Sequence, residues 1–297
     1  MSAYVVKIKK ILAQKGPLVE EFGEIVKTVE QLSTPEQVEH FRELMEPLYK
    51  ADTIISHSFN KPLGYSGDYQ IIEKIYKYHK NSDFIKWDEF FHRLPAAIAV
   101  LNRKEMAVEL LKTLNSSSGN KPKKVLILGS GPATEVNEYF SEVKDNFLYF
   151  DLIDFDQRAI EYAKEKNKKY LEFITFHNQN VLRFSPQGCY DLIWSAGLFD
   201  YFHDRLFSRL LRRFYVFLDE GGQMIIGNFS INNPSRKIME ILGDWYLYHR
   251  TPGQLKNFAL EVGISEKDLE VISEPLGINL FLKVVKSNGS IKLTSSK

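Results

Sequence analysis

Residues 123–135 read KKVLILGSGPATE, and the fold is decided there. Lys124–Leu128 is a short apolar run of the kind that a strand buried on both faces needs. It breaks into Gly129-Ser130-Gly131-Pro132, and a helical stretch starts from about Thr134. Glycines at such a turn let the backbone approach a ligand closely. The helix that follows offers free amides and positive potential at its first turn. No Gly-Lys-Ser/Thr follows, so this is not a phosphate-binding P-loop. Thr134 stands where a dinucleotide fingerprint wants its third glycine, which weakens an NAD reading. Gly-x-Gly alone is common at strand–helix turns, so the context has to decide.

Downstream, strand candidates fall at 147–154, 172–176, 190–195, 222–228, 269–274 and 279–286. Helical stretches at 157–169, 203–218 and 251–262 lie between them. Such alternation implies a parallel sheet with helices on both faces, an α/β doubly wound arrangement. The last two strands lack a helix between them and are joined by Pro275-Leu276-Gly277, which makes them an antiparallel pair. Upstream, residues 1–114 read as helical. Thr34-Pro35-Glu36-Gln37 is a helix start, with a capping residue, a proline suited to the first helical position and a glutamine to close the box. Thr251-Pro252-Gly253-Gln254 repeats it. NKPLGYSGDY at 60–69 is an irregular turn, with helices at about 69–80 and 95–114. NSSSGNKP at 115–122 is a polar linker, so we expect a helical cap or lid domain over 1–118 and the sheet domain over 119–297. The polar tail from Ser287 is expected to fray.

Three further strand ends add to the glycine turn. In FLYFDLIDFD, residues 147–156, the strand ends at Asp154, 23 residues past Gly131. A carboxylate there can accept both hydroxyls of a ribose, with Phe155 beside it, or it is a solvated strand-end charge. Asp156 is placed to cap the next helix. After the third strand comes Asn178-Gln179-Asn180-Val181, either a simple polar loop or a site where Asn180 meets an adenine amino group and Val181 its ring. YDLIWSAGLFDYF at 190–202 brings a strand to an end at Ser195 and Ala196, followed by an aromatic–acidic turn. Ligands of open α/β sheets sit at the carboxyl ends of the strands, and all four pieces fall there.

The chain of 297 residues is 44% hydrophobic and 26% charged, the balance of a globular protein. Lys and Arg number 39 against 38 Asp and Glu. Residues 1–120 alone hold 16 of each sign, so neither part reads as a basic binder of nucleic acid. Cys189 is the one cysteine, which excludes an internal disulfide and a Cys-rich zinc site. The seven histidines have no metal-like spacing, and we expect no metal. MSAYVVKIKKILAQKG lacks the apolar core of a signal peptide, and no apolar run approaches the roughly 18 residues of a membrane span. The expectation is a soluble cytoplasmic protein without membrane or nucleic-acid partners. The oligomeric state stays open, a homodimer included.

LILGSGPATE, LIDFDQRAIEYA and NQNV resemble the first three motifs of class I S-adenosylmethionine-dependent methyltransferases, with Asn180 where an aspartate is commoner. The resemblance covers about residues 122–286. It implies a Rossmann-like sheet of seven strands with the last antiparallel, and S-adenosyl-L-methionine as cofactor. FNKPLGYSGDY, SAGLFDYF, GNFSINNPSR, DWYLYHRT and EPLGINLFL are similar to a bacterial subgroup described as 3-hydroxypalmitic acid methyl ester biosynthesis proteins. That likeness implies methylation of a small molecule, the carboxylate of a 3-hydroxy fatty acid. The alternatives are an N- or O-methyltransferase on another metabolite and a non-catalytic donor-binding partner of another enzyme.

The resemblance assigns donor contacts to Gly129, Ser130, Gly131, Pro132, Asp154, Phe155, Asn180, Val181, Ser195 and Ala196. Glu135 either holds the donor amino group or partners the helix dipole. Arg103 pairs with the donor carboxylate or with Glu135, or is a solvated surface charge. The lid turn can bring Tyr65, Asp68 and Tyr69 over the donor, with Tyr69 read as a donor contact and Asp68 either capping the helix or binding the methionine amino group. Substrate candidates are Tyr65, Tyr201, Asn228, Arg236, Tyr248 and Arg250, the arginines being suited to a carboxylate. A carboxylate acceptor is already ionised and needs no base. For a neutral acceptor His249 and Asp200 are the catalytic candidates, although a lone histidine such as His249 is more often structural.

Overall fold

The computed structural model describes residues 3–80 and 83–287; the tail read as fraying lies, from Asn288 on, outside them. Seven strands form one sheet: β1 Lys123–Leu128, β2 Leu148–Asp154, β3 Ile174–Asn178, β4 Tyr190–Ser195, β5 Leu218–Phe229, β6 Leu269–Ser273 and β7 Asn279–Val285. The helices are α1 Ala3–Ala13, α2 Phe22–Gln31, α3 Pro35–Leu44, α4 Glu46–Tyr49, α5 Ile54–Asn60, α6 Tyr69–Tyr76, α7 Ile85–His92, α8 Pro95–Ser116, α9 Thr134–Glu142, α10 Gln157–Lys166, α11 Asp204–Tyr215, α12 Arg236–Ile241 and α13 Pro252–Glu261.

The strand order is β3-β2-β1-β4-β5-β7-β6. The pairs up to β5 are parallel. β7 runs antiparallel to both β5 and β6, with Ile226 opposite Leu282 and Val271 opposite the same residue. This is the Rossmann-like arrangement of seven strands that the resemblance implies, and the expected antiparallel end is present. The chain steps outward from β1 to β2 and β3, then crosses back to β4. The switch point therefore opens between β1 and β4, where such sheets take their ligands.

Alternation along each strand sorts the core onto two faces. Leu126, Leu128, Ile153, Ile193 and Ile226 pack with Phe207, Leu211 and Phe214 of α11 and Leu255 of α13. Val125, Ile127, Leu152, Trp194 and Phe281 pack with Ala107 and Leu111 of α8 and Val136 and Tyr139 of α9. Each fully buried aromatic or leucine here contributes about 2–3 kcal/mol of burial energy.

The chain divides into two compact units: Met1–Leu101 with Asn233–Tyr246, and Asn102–Asn232 with Leu247–Lys297. The division differs from the boundary expected at residue 118. The linker signal at 115–122 marks only the end of α8, whose second half already belongs to the core of the sheet unit. The segment around α12 gave no sequence signal of belonging with the first hundred residues. Its attachment is long-range. Arg42 donates from Nε to the carbonyl of Ile241 at 3.0 Å and from Nη2 to Asp244 Oδ1 at 2.9 Å. Lys61 holds the other oxygen of Asp244. Ser58 donates to the carbonyl of Gly243 at 2.8 Å, an approach that a side chain at Gly243 would block.

The helix starts follow their capping residues. Thr34 and Gln37 close a reciprocal box, as do Thr251 and Gln254 at 3.0 and 2.8 Å. Asp68 caps α6: its Oδ1 accepts from the amides of Gln70 and Ile71 at 2.9 and 3.1 Å. Its Oδ2 meets Nε2 of the buried His57 at 2.8 Å. Capping is thus the reading of Asp68 that the geometry favours, and His57, given no role from sequence, is its partner.

Candidate active site

The glycine turn after β1 is built on positive φ angles: +68° at Gly129, +50° at Gly131 and +49° at Ala133. Only glycine takes these without cost, and Ala133 stores about 1 kcal/mol of strain. A Cβ on Gly129 would lie 3.1 Å from that of Leu198, tighter than side chains ordinarily pack, so the missing side chain eases the contact of the turn with the loop after β4. The amides of Gly129 and Ser130 both donate to the carbonyl of Ile153 at 2.9 Å. That ties the turn to the end of β2.

There Asp154 joins the two motifs. Its Oδ2 accepts from the Gly131 amide at 2.8 Å and its Oδ1 from the Asp156 amide at 3.0 Å. Burial raises its pKa, and the two amides pull the other way. Asp156 caps α10 through the Arg158 amide at 3.0 Å, as expected. The next loop is clasped onto this one, since Asn178 donates to the carbonyl of Phe155 at 3.0 Å and Gln179 to that of Asp154 at 3.0 Å. Phe155 and Asn180 are exposed. Asn180 Oδ1 accepts from the Leu182 amide at 2.9 Å, a local turn that fixes its side chain. Val181 instead joins the core, and Pro132 is buried. Ser195 donates to the carbonyl of Leu128 at 2.9 Å, pinning the end of β4 to the end of β1.

Beside the turn lies a buried charge cluster. Glu135, in the first turn of α9, is buried, and burial raises its pKa against the opposing pull of Arg103 and Lys166. Arg103 is buried as well, so it is not a solvated surface charge. Its Nη1 makes two long hydrogen bonds, 3.3 Å to the carbonyl of Ala196 and 3.4 Å to Asn279 Oδ1. Gly197 makes room for it, since a Cβ there would sit 2.8 Å from Nη2. Arg103 Nε and Ser130 Oγ are buried without a hydrogen-bond partner among the described residues. Unmet donors beside a buried carboxylate suit a ligand that carries both charges. Asn279 was not anticipated, because nothing local in the sequence brings β7 to α8.

A second cluster follows β4. Asp200 is buried, and its Oδ1 accepts from the Phe229 amide at 2.6 Å. Burial pushes its carboxyl up to about 6, against the pull of that amide and of Arg103 and Arg250. Arg250 is fully committed. Nη1 donates to Asn228 Oδ1 at 2.6 Å and to the carbonyl of Phe199 at 3.3 Å. Nε and Nη2 donate to Asp204 Oδ1 at 3.2 and 2.9 Å, and Nη2 also to the carbonyl of Phe202. Its plane lies 4.8 Å from the Phe207 ring centroid. Asn228, also buried, spends its amide on the carbonyls of Phe229 and Tyr248. These two substrate candidates are thus engaged in holding the loops after β4 and β5 together. Tyr201 is half-buried and Tyr248 exposed. His249 Nδ1 lies 3.1 Å from the carbonyl of Leu247, and its ring faces Phe229.

Tyr65, Tyr69 and Arg236 belong to the other unit. Tyr65 is half-buried in the turn before Asp68, and Tyr69 is the first residue of α6. Arg236 pairs along its own helix with Glu240 at 2.7 Å. Among the described residues no three His, Cys, Asp or Glu side chains are grouped to hold a metal ion. No helix among them is long and apolar enough to cross a membrane.

The methyltransferase domain family matches residues 125–222. A curated relative, malonyl-[acyl-carrier protein] O-methyltransferase 1 of Ilyobacter polytropus, is 28% identical over 159 residues, which is 50% of this chain and 56% of that protein. The chain thus spans about half the length of the curated relative it matches. Among solved structures, a Bordetella parapertussis protein described as a possible exported protein superposes with a TM-score of 0.66 at 18% identity, over 91% of this chain and 96% of that one. Magnesium protoporphyrin IX methyltransferase from Synechocystis PCC 6803, solved with S-adenosylhomocysteine bound, gives 0.51 at 13% identity, over 73% and 99%. Over residues 125–222, from β1 into β5, the chain is thus similar to the methyltransferase domain family, and the superpositions show the Rossmann-like sheet that positions its glycine turn.

Proposed function

We propose that the protein uses S-adenosylmethionine to methylate a small molecule, with the carboxylate of a 3-hydroxy fatty acid as acceptor. The observation that carries the donor assignment is the hydrogen bond from the Gly131 amide to Asp154, which joins the glycine turn to a carboxylate suited to ribose. Glu135 then offers its buried carboxylate to the donor ammonium, and Arg103 its unmet Nε–H to the donor carboxylate. Asn180 and Phe155 are left at the adenine side. When bound, the donor supplies an electrophilic methyl group on a sulfonium. The protein's part is to align the acceptor with that methyl and to keep water out. An ionised carboxylate acceptor asks for no proton transfer. This agrees with a His249 ring directed by a backbone carbonyl and with an Asp200 occupied by the Phe229 amide.

The test is incubation with methyl-labelled S-adenosylmethionine and a panel of 3-hydroxy fatty acids, followed by alkali treatment of the product. Alkali-labile label supports a methyl ester. Donor binding without transfer to any of them turns the search to amine and hydroxyl acceptors. A second reading rests on the Ilyobacter relative, whose name gives a malonyl group on a carrier protein as its substrate. On that reading the acceptor is the free distal carboxylate of an acyl group whose other end is held by a carrier.

A further inference from the structure

α11 carries Arg205, Arg209 and Arg212 at spacings of four and three residues, which places them on one face over about 10 Å of helix. All three are exposed. Among the described residues none of them forms an ion pair or a side-chain hydrogen bond. The opposite face is fixed, because Phe207, Leu210, Leu211 and Phe214 are buried in the sheet core. The charges nearby do not neutralise the stripe. Asp204 is held by Arg250 at 2.9 Å. Arg213 is spent on the carbonyls of Val181, Leu182 and Phe184, and the loop it holds adds the exposed Arg183. A chain with net charge +1 thus concentrates unpaired positive charge on the helix that begins just after the turn bearing Asp200.

The chemistry of the stripe selects among anionic partners. Residues 1–120 and 121–297 are each near neutral, without the net positive charge of a binder that tracks a phosphate backbone. No large apolar side chain of α11 is exposed, so the helix lacks the face that an interfacial membrane helix buries. Three guanidinium forks at helical spacing match carboxylates at the same spacing on another helix. We propose that this face of α11 docks the acidic helix of an acyl carrier protein that presents the methyl acceptor. The inference rests on the carrier reading above. It adds the surface by which that partner is recognised.

The experiment titrates malonyl-loaded acyl carrier protein into the full chain by calorimetry at 50 and 300 mM salt, with the wild type and R205E/R209E/R212E. The wild type should bind at low salt and lose affinity at high salt. The variant should bind at least about tenfold more weakly, with S-adenosylhomocysteine affinity unchanged as proof of its fold. Equal affinity of variant and wild type overturns the proposal, as does no binding by the wild type at low salt. Tighter binding of duplex DNA or of phosphatidylglycerol vesicles than of the carrier overturns it too. Carrier binding through the stripe in a chain that does not bind S-adenosylhomocysteine would sink the donor assignment and leave the docking surface standing.

Discussion

The amide of Gly131 donates to Oδ2 of Asp154 across 2.8 Å, joining residues 23 apart in sequence. The turn that leaves β1 and the carboxylate that ends β2 are therefore one device. A change in either should disturb the other.

Asp154→Ala removes the proposed acceptor of two ribose hydroxyls. With each charged hydrogen bond contributing about 1.5–3 kcal/mol, S-adenosylhomocysteine affinity should fall by about 100-fold or more. Gly131→Val forces a β-branched residue to φ +50° and should do the same. Calorimetry on folded variants checks both, and undiminished affinity in the pair would remove the ribose assignment.

Asp200 gives a pH signature. Its folded pKa of about 6 lies above the ordinary 3.8, so the folded state binds the proton more tightly. The stability this contributes is present below pH 3.8 and lost as pH rises to 6. The shift corresponds to about 3 kcal/mol. Asp200→Asn should therefore gain stability relative to the wild type by up to that amount between pH 4 and 6, with no further gain above pH 7. Urea unfolding across the range reads it, and a pH-independent difference would contradict the assignment.

Arg103 stands near two buried carboxylates, Glu135 and Asp200. Arg103→Met should cost about 3–5 kcal/mol, the scale for leaving buried charges uncompensated. Adding Glu135→Gln should recover part of that loss without restoring donor affinity. Denaturant midpoints and calorimetry on the single and double variants test the coupling.

Arg250→Lys should act on stability alone. A lysine cannot serve Asn228, Asp204 and two carbonyls at once, and a loss of about 2–4 kcal/mol is expected. The KM for a carboxylate acceptor, measured well below the melting point, should stay within about twofold. A KM rise of tenfold or more would return Arg250 to the substrate.

His249→Ala discriminates acceptors. Turnover of a carboxylate should remain within about threefold of wild type, with a flat pH profile from 6 to 8. A loss of about 100-fold or more would identify a general base and a neutral acceptor.

The parts of this molecule that are local in sequence could be read from it. A buried strand, two glycines and a carboxylate at the next strand end determine the turn, and the Thr34 and Thr251 boxes fix their helices through neighbours three residues away. The roles of Arg250 and Asn228 were not readable, because each depends on which loops meet above the sheet. His57 and Asp68 share the same problem at shorter range, since the carboxylate satisfies a helix end and an imidazole together. The boundary at Leu101 was hidden inside a helix whose own pattern is continuous. No local propensity marks the turn at which α8 changes neighbours.

The discontinuity of the first unit bears on how the chain comes off the ribosome. When residues 1–101 have emerged, Arg42 and Lys61 are present but Asp244, the carboxylate that both hold, has yet to be made. The helical unit must wait, incomplete, through the synthesis of five strands of the sheet. Its last piece arrives only as translation passes residue 246. A fragment ending at residue 118 should therefore be a poor stand-in for that unit. The unit whose synthesis begins first is thus completed only after most of the sheet has been made, and β6 and β7 follow it.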